Sequence, residues 1–186
     1  RTSSMGPVYS RSRAGEHPRF RGWFDCVRVH SVAVVSMIHL ERAGTGRRLS
    51  VPDAVVTVLS SREHTGDAYE VMLIEAPGGT PPPLHSEPWP KTYYLLRGRI
   101  LVLLDGEGCE LATGDTLTIE AGTMNSFSVL TDDAVFLLVC PGTGMSGFFT
   151  DVDALGKQYL PEDALMSRFG QIATRYGIRF AEEVLP

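Results

Sequence analysis

From Leu49 onward, seven short apolar runs separated by glycine-bearing turns leave this chain few architectures. The runs are Ala54–Leu59, Ala68–Glu75, Thr92–Leu96, Ile100–Leu104, Asp115–Ile119, Ser126–Leu130 and Ala134–Cys140. Most are rich in Val, Ile, Leu, Thr, Phe or Tyr, which suit a pleated, half-buried surface. The breaks carry turn chemistry: Pro77-Gly78-Gly79, Arg97-Gly98, Asp105-Gly106-Glu107-Gly108, Thr113-Gly114-Asp115, Ala121-Gly122 and Pro141-Gly142. Short strands at this spacing predict an all-β sandwich or barrel. No helical pattern lies between them, which argues against a parallel α/β sheet.

Several runs are apolar on both faces. Ile100, Val102 and Leu104 point one way, Leu101 and Leu103 the other, and Phe136–Val139 repeats the pattern. A one-sided sheet should alternate. The second face therefore needs a cover, either the terminal helix or another subunit, and a homodimer is expected. After Pro161, acids in a first turn and apolar residues at Leu165, Phe169, Ile172, Ala173 and Tyr176 predict one amphipathic helix ending near Gly177. It reads as a structural cover, anchored by Phe148 and Phe149. The glycines at 142, 144 and 147 read as a loop.

Charge is unevenly spread. Residues 1–50 carry nine arginines and three acids, whereas residues 51–186 carry eight basic and nineteen acidic side chains. The net charge of -5 argues against nucleic acid as the main partner. The longest mainly apolar stretch, Val29–Leu40, is too short and too polar to span a bilayer, so no membrane role is expected and the chain is assigned to the cytoplasm. Cys26, Cys109 and Cys140 are too widely spaced for a disulfide framework or a Cys-rich zinc site. Residues 1–36 form an Arg-rich extension. It reads as an organelle leader, a disordered basic arm, or a non-native segment upstream of a natural start at Met37; the last is favoured. Residues 37–186 are then one domain.

The central stretch is Gly79-Thr-Pro-Pro-Pro-Leu-His85-Ser-Glu87-Pro-Trp89-Pro-Lys91-Thr-Tyr-Tyr-Leu-Leu-Arg-Gly98. It resembles the first motif of the cupin family, G-x5-H-x-H-x3-E-x6-G, with Gly79, His85 and Gly98 in step. Gly114 through Val129 resembles the second motif, G-x5-P-x-G-x2-H-x3-N, with Gly114 and Gly122 in step. The wording around them is similar to quercetin-dioxygenase-type single-domain cupins. The resemblance covers roughly Leu40–Pro186. It implies an RmlC-like jelly-roll β-barrel of six to eight strands with a C-terminal α-helix, usually dimeric.

In that family three His and one Glu hold a metal inside the barrel. By position those sites fall here on His85, Glu87, Lys91 and Asn125. Only His85 keeps the family residue. Glu87 could ligate a hard or borderline ion. A protonated Lys91 cannot, and it would repel a unit charge 4 Å away by about 4 kcal/mol at an effective dielectric near 20. The expectation is no cofactor, or a weakly bound divalent ion (Fe, Mn, Ni, Cu or Zn) on His85 and Glu87. If the fold holds, Lys91 enters the cavity beside Glu87 and its ammonium replaces the metal. Trp89 and Tyr93 are the best candidates for a pocket wall, with Asn125 and Phe127 beside them as substrate-binding residues. His39 and His64 are the spare histidines of the domain, His64 in a solvated turn.

Two functions compete. One is an enzyme acting on an oxygenated, partly apolar compound, flavonoid- or polyketide-like by resemblance. In it His85 would be the general acid or base, Lys91 would stabilise an enolate, and Glu87 would hold them. The resemblance suggests oxygenation; without the metal, an isomerase or cyclase is easier to write. The other is a non-catalytic module that binds or senses a small molecule. Fold alone cannot choose.

Overall fold

The strand runs pair as their alternation requires. In a computed structural model, which describes residues 38–142 and 144–181, eleven strands form two antiparallel sheets. In chain order they are β1 (Arg47–Val51), β2 (Ala54–Ser60), β3 (Tyr69–Pro77), β4 (His85–Ser86), β5 (Lys91–Arg97), β6 (Arg99–Leu104), β7 (Glu107–Ala112), β8 (Thr116–Ile119), β9 (Asn125–Val129), β10 (Asp133–Pro141) and β11 (Arg179–Phe180). One sheet runs β1-β2-β3-β10-β5-β8, the other β11-β4-β9-β6-β7. Consecutive strands often fall in opposite sheets, so the chain wraps between them as in a jelly roll.

The two sheets pack apolar inner faces against each other. Val56, Met72, Ile74, Leu95, Phe136 and Leu138 from the first sheet meet Ile100, Val102 and Leu111 from the second, all buried. Phe136 is the largest fully buried side chain, and the rings of Tyr93 and Phe127 lie 4.9 and 5.4 Å from it. The outer face of the first sheet is also apolar at its centre. Leu137 pairs with Leu73 on one side and Tyr94 on the other, and Val139 pairs with Val71.

All seven expected runs are strands. Four further strands carried no such pattern: β1, β7 and the two-residue β4 and β11. The expected single C-terminal helix is two, α2 (Met145–Gly156) and α3 (Glu162–Arg175), after a short α1 (Arg62–Thr65) that holds His64. Gly147, expected in a loop, lies inside α2, as do Phe148 and Phe149. Two tertiary contacts make that helix. The buried carboxylate of Glu70 accepts from the Ser146 amide (3.1 Å) and from its hydroxyl (2.6 Å), satisfying the α2 start from outside the helix. Gly147 lets the Tyr176 ring approach, since a Cβ there would stand 3.0 Å from the hydroxyl. The turn after α3 closes at Gly177, which has φ +70° as expected of a residue just past a helix end. The Arg-rich residues 1–36 and Met37 lie outside the described residues.

Gly98 joins β5 to β6 as a single-residue link. It has φ +86°, and an added Cβ would stand 2.4 Å from the Asp133 carbonyl oxygen. Gly98→Ala should therefore cost about 2–3 kcal/mol, a fall in Tm of roughly 5–10 °C by calorimetry. Ala at Gly114, where the φ is similar but space is open, should cost visibly less.

Candidate functional site

The segment between β4 and β5 carries the chain from one sheet to the other. His85 opens β4, Glu87 follows it, Pro88 and Pro90 bracket Trp89, and Lys91 opens β5. The crossing brings Glu87 and Lys91 face to face. The Lys91 ammonium donates to Glu87 Oε1 in a short, fully buried ion pair, each side chain no more than 3% exposed. His85 Nε2 lies 3.3 Å from the same oxygen. Asn125, at the start of β9, donates from Nδ2 to Glu87 Oε2 at 3.0 Å. Nδ2 also faces the carbonyls of His85 (3.1 Å) and Thr123 (3.0 Å). Three acceptors around one nitrogen fix the amide orientation, so Asn125 acts here as a donor and not as a carbonyl ligand.

His85 is held at both ring nitrogens. Nδ1 lies 2.7 Å from the Pro83 carbonyl, which can only accept, so Nδ1 carries a hydrogen. Nε2 faces a carboxylate, so the doubly protonated ring satisfies both contacts together. Burial alone would raise the Glu87 carboxyl, but the His85 hydrogen bond and the Lys91 charge outweigh it and hold it down, from an ordinary 4.5 to about 2. Burial would likewise lower the Lys91 ammonium. The Tyr93 hydroxyl and the Glu87 carboxylate beside it reverse that and raise it.

A cavity of about 360 Å³ opens beside this network. His85, Tyr93 and Phe127 are on its wall, with Ile74, Phe136 and Leu138 from the barrel interior. Met145, Phe148, Phe149 and Val152 of α2, Phe169 of α3 and Phe180 of β11 complete it. The terminal helices, expected only as a structural cover, thus supply part of the wall. Glu87, Lys91 and Asn125 are not on that wall; Lys91 Nζ lies 5.5 Å from the Tyr93 ring centre, and Tyr93 is a wall residue. Trp89, expected on the wall, is packed in the hydrophobic core, its buried Nε1 without a hydrogen-bond partner among the described residues. Asp53, in the β1–β2 turn, lines the cavity and was not expected there.

The Cupin domain family matches residues 71–140 by sequence, a span running from β3 through β10 and holding the whole network. The barrel has the cupin fold. The chain is similar to quercetin 2,3-dioxygenase of Bacillus subtilis (strain 168), 27% identical over 163 residues, covering 84% of this chain and 48% of the relative. It thus spans about half the length of that curated relative. Two solved structures share the cupin fold. The polyketide cyclase RemF from Streptomyces resistomycificus aligns with a TM-score of 0.51 and 20% identity, over 57% of this chain and 80% of that one. An RmlC-like cupin from Shewanella frigidimarina NCIMB 400 aligns with a TM-score of 0.51 and 13% identity, over 59% and 96%. At these identities the likeness is one of fold.

The cupin positions that the resemblance gives to metal ligands do converge, but their chemistry does not suit a cation. Both oxygens of Glu87 already accept from protein donors, Lys91 and Asn125. The Lys91 ammonium stands against the one anionic donor of the set. His85 Nε2 is itself turned to Glu87 Oε1, 3.3 Å away. Among the described residues no three of His, Cys, Asp and Glu gather in metal-binding geometry. This donor set does not fit a divalent metal.

Removing one partner of such a pair leaves a buried charge uncompensated. Lys91→Met should destabilise the domain by about 3–5 kcal/mol, and Lys91→Met with Glu87→Leu should recover most of that loss, both by denaturant melts. Because the Glu87 carboxyl is depressed, its contribution is present above its ordinary 4.5 and is lost as pH falls from there towards 2. Glu87→Gln should remove that share of the acid dependence.

Proposed function

We propose that this cupin is a small-molecule enzyme that works by proton transfer, with His85 as the acid–base group and the Glu87–Lys91 pair in the place of a metal. The observation that carries this reading is the position of His85. It is the one member of the charged network on the cavity wall, and it is oriented by Pro83 at one nitrogen and by Glu87 at the other. On this reading Nε2 takes up or delivers the proton as it exchanges its contact with Glu87 for one with the substrate. Lys91 helps to keep Glu87 ionised beside that nitrogen. Lys91 and Glu87 are positioning residues on this reading, because neither reaches the cavity.

The wall suits a compound with a flat, apolar body. Tyr93, Phe127, Phe136, Phe148 and Phe149 present aromatic rings to it. A carbonyl next to an acidic C–H, as in a polyketide- or flavonoid-like ring, would give Nε2 a proton to move. The similarity to a quercetin dioxygenase and to a polyketide cyclase supports that substrate class. The scarcity of polar groups on the wall favours a second reading, a binding or sensing module without turnover. His85→Gln separates the two. It should lower kcat at least about a hundredfold while KM moves little, the usual share of a general acid or base; a module without turnover shows no rate to lose against a panel of phenolic and polyketide-like ketones.

The same reading expects well under one equivalent of Fe, Mn, Ni, Cu or Zn by elemental mass spectrometry, even after incubation with those ions. A near-stoichiometric metal would return the site to oxygenase chemistry with His85 and Glu87 as ligands. For partners, the domain is proposed to pair with a second copy through the outer face of the first sheet, where Leu73, Leu137 and Tyr94 sit side by side. Leu137→Glu should halve the mass seen by light scattering.

A further inference from the structure

Apart from His85, the cavity wall holds one other group that is charged in water. Asp53 sits in the two-residue turn between β1 and β2, where Val51 pairs with Ala54. Asp in a turn is ordinary, and such a residue commonly points to solvent. This one is half-buried on a wall that is otherwise almost wholly apolar, alongside Val51, Phe148 and Phe149. No cationic side chain among the described residues forms an ion pair with it. It is also the only carboxylate on the wall among the described residues. Burial raises its carboxyl, opposed in part by its own backbone amide and by the charge of His85. One backbone amide does not fill the acceptor capacity of a carboxyl, and a desolvated polar group left short of partners costs stability unless a ligand supplies one.

We propose that Asp53 is the second polar anchor of the cavity, accepting a hydrogen bond from a ring hydroxyl of a ligand whose oxygenated end faces His85. The inference rests on the cavity being the ligand site, as proposed above, and adds the ligand class: a hydroxylated ring compound, with the hydroxyl chosen by Asp53 and the apolar body held under α2 and α3. A site built to pair with a hydroxyl rejects the analogue in which that group is a methyl, because the buried acceptor is then left unpaired.

The test uses two probes of nearly equal shape, 2-naphthol and 2-methylnaphthalene, titrated by fluorescence against the wild-type chain, Asp53→Ala and His85→Gln. Thermal melts confirm that each variant is folded. The wild type should bind 2-naphthol about tenfold more tightly than 2-methylnaphthalene, the scale of one hydrogen bond to a buried acceptor. Asp53→Ala should abolish that preference and leave 2-methylnaphthalene binding unchanged or slightly tighter. His85→Gln should keep the preference. Binding without discrimination, or discrimination that survives Asp53→Ala, overturns the role of Asp53 alone. Binding of neither probe up to its solubility limit overturns this proposal together with the reading of the cavity as a ligand site.

Discussion

The buried pair of Glu87 and Lys91 is the constraint on which the arrangement around it depends. Two unit charges withdrawn from water carry a desolvation cost that their attraction offsets only when every remaining polar atom is also satisfied. Here the carboxylate is satisfied from both sheets at once. Lys91 begins β5 in one sheet, while His85 in β4 and Asn125 at the head of β9 belong to the other. The carboxylate of Glu87, on the crossing segment, receives from all three. The pair therefore ties the sheets together at the end of the barrel where the chain crosses, and fixes the rotamer of the one histidine that faces the cavity. Proline on both sides of Trp89 keeps the crossing stiff, so little of that order has to be imposed by the pair itself.

A second buried acid extends the same logic along the first sheet. Glu70 on β3 pairs with Cys140 on β10, and Lys91 on β5 follows in the same row, since Val139 pairs with Thr92. The thiol between the two charges is pushed up to about 12 by burial and by Glu70, which makes it a small space-filling residue and a poor nucleophile. Glu70 in turn holds the first turn of α2 through Ser146. One row of inward-facing side chains thus reaches from the cation behind His85 to the helix that covers the cavity. The cover and the site are anchored on β3 and β5, the two strands that flank β10, so the wall they share has a fixed shape.

The parts legible in the sequence were those with local causes. Alternating β-branched runs and glycine turns marked seven strands, and the histidine after three prolines marked the site. β7 escaped because Glu107-Gly108-Cys109-Glu110 lies exposed at a sheet edge, where neither alternation nor apolar content is required. β4 and β11 are two residues long and exist only through tertiary pairing, β11 on β4 and β4 on β9. The start of α2 was hidden because its glycines read as a loop and its N-terminal partner, Glu70, is 76 residues away. Trp89 went to the core instead of the cavity because strand parity is lost between Pro88 and Pro90. Asp53 could not have been found: a Pro-Asp pair in a two-residue turn is complete turn chemistry by itself, and only the folded helices make that turn part of a wall.

An ammonium in the place of a metal changes what a cupin cavity can do. It brings one positive charge and three hydrogens, but no vacant orbital to polarise a substrate oxygen and no exchangeable coordination position. Its charge is spent on Glu87, which it holds ionised within the protein and away from the cavity. On the proposed reading, what reaches a ligand is indirect: a histidine ring held in one orientation, with Nε2 facing the Glu87 carboxylate. Such a site can move protons and select shape. On the proposed reading, the aromatic wall then supplies binding and the exclusion of water, under which a single oriented imidazole and the carboxyl of Asp53 act more strongly than they would in solvent.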